Sequence, residues 1–217
     1  MSKRRKESWE KDIIPYTDPA FRPYVTALGQ LALAWNGLHS SLAVLFCSVM
    51  GGGSIDQYLA VWSSITNDRM QRDMLLAAAK NPACCAAQDF PKLVETIEHI
   101  LGQANDLEDR RNNALHAPLV GLRNYKPKPL IIPIIGHRNK RALRLWDKDL
   151  LKEFRYCRDY CVILRDFVVE LEWALRSQRN AWPDTPKRPN RGDSNHKKHP
   201  LPKNKAKLPR PPKSSPG

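Results

Sequence analysis

A chain of 217 residues, 41% hydrophobic and 27% charged, is long enough to bury one real core and short for two, so one domain is expected. No run approaches the roughly 20 uninterrupted apolar residues of a membrane span; even residues 28–50 are broken by Gln30, Asn36, His39, Ser40 and Ser41. The start, MSKRRKESWEKD, lacks the apolar stretch of an export signal, and the five cysteines are an odd number without a CxxC pair. A soluble, cytoplasmic protein with reduced thiols follows as the expectation, with no membrane partner, no metal and no cofactor.

The formal charge of +14 is unevenly placed: residues 1–17 carry a net +2, residues 18–178 carry +3 and residues 179–217 carry +9. The pI of 9.8 therefore reports mainly the C-terminal segment, and basicity alone does not identify a nucleic-acid protein.

After an N-terminal arm (1–17), Leu28, Leu31, Trp35, Leu38, Leu42, Leu45 and Val49 recur at spacings of three and four and stop at Gly51, Gly52 and Gly53. This predicts a long helix with a glycine stop. Ile55, Tyr58, Leu59, Trp62 and Ile65, then Met70, Met74 and Ala78, predict one or two shorter helices. A second long helix carries Leu93, Ile97, Ile100, Ala104 and Leu107, with Asp89 as N-cap and a stop before Pro118. The period fails over 119–146, where Pro127, Pro129, Pro133 and the run LIIPII predict an extended excursion with a small hairpin. It is dense in basic residues, among them Arg138, Lys140 and Arg141. A third long helix carries Leu150, Phe154, Cys157, Cys161, Leu164, Val168, Leu171 and Leu175, with Asp147 as cap. Cys157 and Cys161 lie on its apolar stripe, where packing explains them better than metal ligation.

Such narrow seams need partners, so the expected fold class is all-α, an antiparallel bundle of four to five helices over residues 18–178. Residues 179–217 are rich in Pro, Lys and Arg with Trp182 as their single aromatic, a composition that predicts a disordered basic tail. Such a tail suits a phosphate backbone held without sequence readout, or simply solubility.

The informative string is LEDRRNNALHAP at the end of the second long helix. Continuing its stripe four residues past Leu107 reaches Arg111, an arginine where an apolar residue is called for. Glu108, Asn112 and His116 are spaced by four and form one polar ridge beside it. Arg111 and His116 lie about 140° apart on an ideal helix and flank a groove. In the first helix, Asn36 and His39 sit beside the seam and are candidates for the same groove, although a histidine there is commonly a satisfied core residue. The string holds no glycine-rich phosphate loop, HExxH or GxSxG, and neither does the rest of the chain.

An arginine, a polar residue, a short spacer and a histidine near the end of a long helix in an all-α bundle resemble the HEPN superfamily; here Arg111, Asn112 and His116 carry the pattern. The resemblance implies a metal-independent endoribonuclease acting as a homodimer with facing motifs. Arg111 would hold the phosphate, Asn112 orient it and His116 move a proton, with Glu108, His39 and Asn36 in support. Arg110, Arg138, Lys140 and Arg141 are the further candidates for contact with RNA. The sequence names no antitoxin or regulatory partner. The alternative is a non-catalytic helical module that binds RNA, nucleotide or protein, with Arg111 pairing with Glu108 or Asp109 and the tail doing the binding.

Overall fold

A computed structural model of the chain describes residues 12–123, 129–134, 139–177 and 182–189. In chain order these form β1 (Ile13–Ile14), a 3-10 turn (Pro19–Phe21), α1 (Arg22–Met50), α2 (Ile55–Ser64), α3 (Asp68–Lys80), α4 (Cys85–Asp89) and α5 (Leu93–His116). β2 (Leu119–Leu122), β3 (Leu130–Pro133), α6 (Lys140–Leu145) and α7 (Leu150–Ser177) follow. The fold class is all-α as expected, with one small sheet. Where the sequence reading has one bundle over 18–178, the described residues divide into two compact units.

The helical unit comprises residues 26–111, 154–177 and 182–189. Its cross-helix contacts give the direction of each helix. Trp35 meets Asp68 and His39 meets Arg72, so α1 and α3 run the same way. Gln30 meets Arg158 and Ser48 meets Glu172, so α7 also parallels α1. Lys80 meets Glu98 while Arg72 meets Asn105, and Gln103 meets Tyr160 while Arg110 meets Tyr156. These two sets make α5 antiparallel to both α3 and α7. Two parallel contacts around α1 are possible because α2 and α5 supply the return passes.

The three predicted seams form the core: Leu31, Trp35, Leu38, Leu42 and Leu45 of α1, Leu93 to Leu107 of α5 and Phe154 to Leu175 of α7 are all buried. α1 stops where Gly51 and Gly52 take φ of 58° and 62°, a left-handed turn that glycine enters without a Cβ penalty. Helix α3 departs from the reading. Its buried face is Arg72, Leu75 and Ala79 in place of Met70, Met74 and Ala78, because an arginine sits at the centre of that face and a hydrophobicity count scores it as surface. Asp89 ends α4 and does not cap α5. The stretch Pro19–Met50 is, against expectation, long and apolar enough by composition to cross a membrane, but 56% of its most apolar window is buried within the protein, as a core helix requires.

The expected tail begins with a strap. The Trp182 ring lies 5.6 Å from that of Phe90, its Nε1 donates to Thr96 Oγ1 at 3.1 Å, and Arg188 reaches Asp106 at 3.4 Å. The remainder of the expected tail, from residue 190, lies outside the described residues. A chain ending at residue 189 is therefore expected to melt with the full chain. One ending at 181 loses the aromatic contact and a hydrogen bond, about 1–2 kcal/mol, and melts about 2–6 °C lower. Differential scanning calorimetry of the two truncations measures the difference.

The second unit comprises residues 12–25 and 112–153 among those described. The hairpin foreseen in 119–146 is β2–β3, with Val120 opposite Ile132, and β1 adds to the other edge of β2 with Ile14 opposite Gly121. A Cβ at Gly121 would fall 2.4 Å from Ile14 Cγ1, so only glycine lets the two strands approach with the isoleucine buried. The basic end of the excursion is helical where extended chain was expected. Asn139 Oδ1 accepts from the Arg141 and Ala142 backbone N–H groups to start α6, whose Ala142 and Leu145 are buried. The N-cap of α7 is Asp149, two residues beyond Asp147, its Oδ1 accepting from Lys152 N–H.

Candidate functional site

The densest polar assembly in the helical unit surrounds Arg72, a residue the sequence reading passed over. Its side chain is 1% exposed and all three guanidinium nitrogens are engaged. Nε donates to Asn105 Oδ1 at 3.0 Å, Nη1 donates to His39 Nε2 at 3.0 Å, and Nη2 donates to the Glu108 carboxylate in an ion pair. The guanidinium also lies 5.6 Å from the centre of the Trp35 ring, whose Nε1 donates to Asp68. Three helices thus converge on one charge, with His39 and Trp35 from α1, Arg72 and Asp68 from α3, and Asn105 and Glu108 from α5. A buried guanidinium is tolerable only with this degree of pairing.

The donors fix the state of His39. A guanidinium has hydrogens only to give, so His39 Nε2 must be the bare nitrogen and the ring proton sits on Nδ1. That Nδ1 is buried with no hydrogen-bond partner among the described residues. Burial lowers the imidazole pKa below its ordinary value, Arg72 adds to the effect, and Asp68, Gln71 and Glu108 oppose it. His39 is a core residue, as the simpler reading had it, but only half satisfied.

A stability prediction follows. A histidine neutral in the fold and free to protonate when unfolded stabilises fully above its unfolded pKa of about 6.5. That contribution is lost as pH falls through the lower, folded value. Thermal melts at pH 7.5, 6.5 and 5.5 should therefore show a fall in melting temperature on acidification, smaller in His39→Gln, whose amide oxygen still accepts from Arg72. An equal fall in both proteins would assign the acid sensitivity elsewhere.

Arg111, the stripe-breaking residue, is half-buried with its guanidinium 5.5 Å from the centre of the same Trp35 ring. Two arginines thus share one indole. Arg111 is also close enough to Cys161 to favour its thiolate, but burial dominates and pushes that thiol up to about 12; Cys157 and Cys161 are both core residues. Glu108, one of the acids a structural role for Arg111 would use, is held by Arg72. Arg110 lies 5.6 Å from the centre of the Tyr156 ring on α7.

The remaining predicted residues are dispersed. Asn112 is half-buried, its neighbour Asn113 is the buried amide, and His116 is exposed as the last residue of α5. The structure joins Glu108 and His39 through Arg72, as a shared groove requires. Asn36 does not join them: it is exposed on the outer side of α1. Lys140 and Arg141 are exposed on α6, and Arg138 lies outside the described residues. Arg72 was legible by the argument applied to Arg111: it stands three and seven residues before the buried Leu75 and Ala79, an arginine on an otherwise apolar face. Compared with known proteins, the chain matches no family model, no curated protein and no solved structure.

Proposed function

We propose that the chain is a metal-independent endoribonuclease of HEPN type, acting on RNA in the cytoplasm, with Arg111 as the phosphate-holding group and His116 as the proton-moving group. The observation that carries this reading is the anchoring of Arg111 on Trp35 beside the Arg72 network. A guanidinium held against an aromatic face is restricted in rotamer, and a preordered planar fork suits the non-bridging oxygens of a phosphorane. Attack by the ribose 2′-hydroxyl on the adjacent phosphorus requires a proton to leave that oxygen and another to reach the 5′ leaving oxygen. His116, exposed at the helix end, is placed on the chain to exchange protons with such a substrate, and Asn112 between them offers an amide for orientation. Products with a 2′,3′-cyclic phosphate and a 5′-hydroxyl follow, and DNA is not cut.

The test is incubation of purified protein with mixed RNAs in chelator and end-group analysis of the fragments. A second reading, a helical module that binds RNA or nucleotide without cutting it, draws on one observation. Arg111 turns onto the Trp35 side while His116 is exposed about 140° further round an ideal helix. Retention of RNA with no fragments in the same assay selects it.

A further inference from the structure

The outward face of α1 carries no charge. From Pro23 to Ile55 the chain has no Asp, Glu, Lys or Arg, whereas a helix that meets water on one side ordinarily places charged residues there. Within the helical unit the exposed residues Gly29, Leu33, Asn36, Ser40 and Val44 recur at spacings of four, three, four and four, which puts them on one stripe roughly 22 Å long. Leu33 is 72% exposed and Val44 43%. Gly29 leaves a notch beside Leu33, since nothing lies within 4 Å of where its Cβ would be. The Ser40 hydroxyl is turned down onto the Asn36 carbonyl at 3.0 Å, which keeps the stripe smooth. Charge appears only along the α7 side. There Arg158 donates to Gln30 and Arg165 lies 3.5 Å from the Cβ position of Gly37, each paired with the next residue, Asp159 or Asp166.

We propose that this stripe is the contact face for a second copy of the chain, α1 against α1 across a two-fold axis, with Leu33 of each protomer seated at Gly29 of the other. Charge complementarity selects that occupant. On a two-fold axis each residue near the axis meets its own counterpart, so a charge there repels itself. The stripe is uncharged where self-contact occurs, and its rim holds two arginines and two aspartates, which a two-fold rotation can set against each other. RNA finds no cation on it. A lipid surface would have to accept the Asn36 amide at its centre and the Arg–Asp pairs at its edge. A helix pair of this length buries an area at the low end of specific interfaces, so the dimer forms in the micromolar range. Trp35, which carries both guanidiniums, lies on the buried side of α1. The contact therefore leaves each cluster within its own protomer, in place of the facing motifs that the family resemblance implies.

The inference is read by mass and stands apart from the RNA chemistry: a dimer without cleavage removes the nuclease and leaves this face. Light scattering of the full chain at about 100 µM, above the affinity expected of so small an interface, should give twice the 24.8 kDa chain mass. Leu33→Arg should give the single mass under the same conditions with an unchanged circular dichroism spectrum. Ser40→Cys, in a background with the exposed Cys85 replaced by serine, should form a disulfide-linked dimer on mild oxidation. A monomeric wild type, an unaltered dimer in Leu33→Arg, or no cross-link through Ser40→Cys would overturn the proposal. Flotation of a monomeric wild type with neutral phosphatidylcholine vesicles would also overturn it, and would assign the face to lipid.

Discussion

Arg111→Ala and His116→Ala are each expected to slow RNA cleavage in chelator by about a hundredfold or more, and the double mutant to be little slower than either. Under the proposed chemistry the two groups serve one transition state, Arg111 its added negative charge and His116 its proton, so removing either disables the same step. The variants differ in structural risk. His116 is exposed at the end of α5, and its loss should leave the melting temperature unchanged. Arg111 is half-buried on Trp35, so its variant needs a circular dichroism check, and Arg111→Lys supplies a milder comparison that keeps the charge but loses the planar fork. His196→Ala is the control, because Arg191 and His196 repeat the spacing in the basic segment without a long helix pattern around them. Folded His116→Ala protein that cuts at the wild-type rate would end the catalytic assignment.

Arg72→Ala should cost about 3–5 kcal/mol of stability in urea denaturation. The loss is larger than a cavity alone would explain, because the substitution strips partners from three side chains at once. The Glu108 carboxylate loses its ion pair, His39 Nε2 and Asn105 Oδ1 lose their donor, and the Trp35 face loses one of its two cations. The origin of the loss is separable. If most of it comes from the abandoned carboxylate, Arg72→Met combined with Glu108→Leu should recover a large part, since apolar residues of similar volume replace buried ion pairs at little cost. If the double variant is no better than Arg72→Ala, the guanidinium's contacts with His39, Asn105 and Trp35 hold the three helices together. A loss below about 1 kcal/mol would mean that the network contributes nothing beyond its own desolvation.

The three long helices were legible in the chain because each carries a continuous apolar seam at spacings of three and four, and burial of that seam is the largest favourable term in folding. The stop at Gly51, the hairpin at LIIPII and the packing role of Cys157 and Cys161 follow from equally local chemistry, as does the anomaly of Arg111 on a stripe. What local chemistry leaves undecided is which polar groups meet. Arg72 stands 33 residues from His39 in one direction and 36 from Glu108 in the other, and no spacing rule connects three helices. An arginine on the apolar face of α3 also counts toward the surface until its partners are known, so the periodicity of Met70, Met74 and Ala78 pointed to the wrong face. Trp182, alone in a basic, proline-rich segment, reads as unpartnered until Phe90 and Thr96 arrive from elsewhere in the chain. The seams are a property of neighbouring residues and were decided by the sequence; the network at Arg72, the shared Trp35 ring and the uncharged outer face of α1 exist only once the helices have been laid side by side.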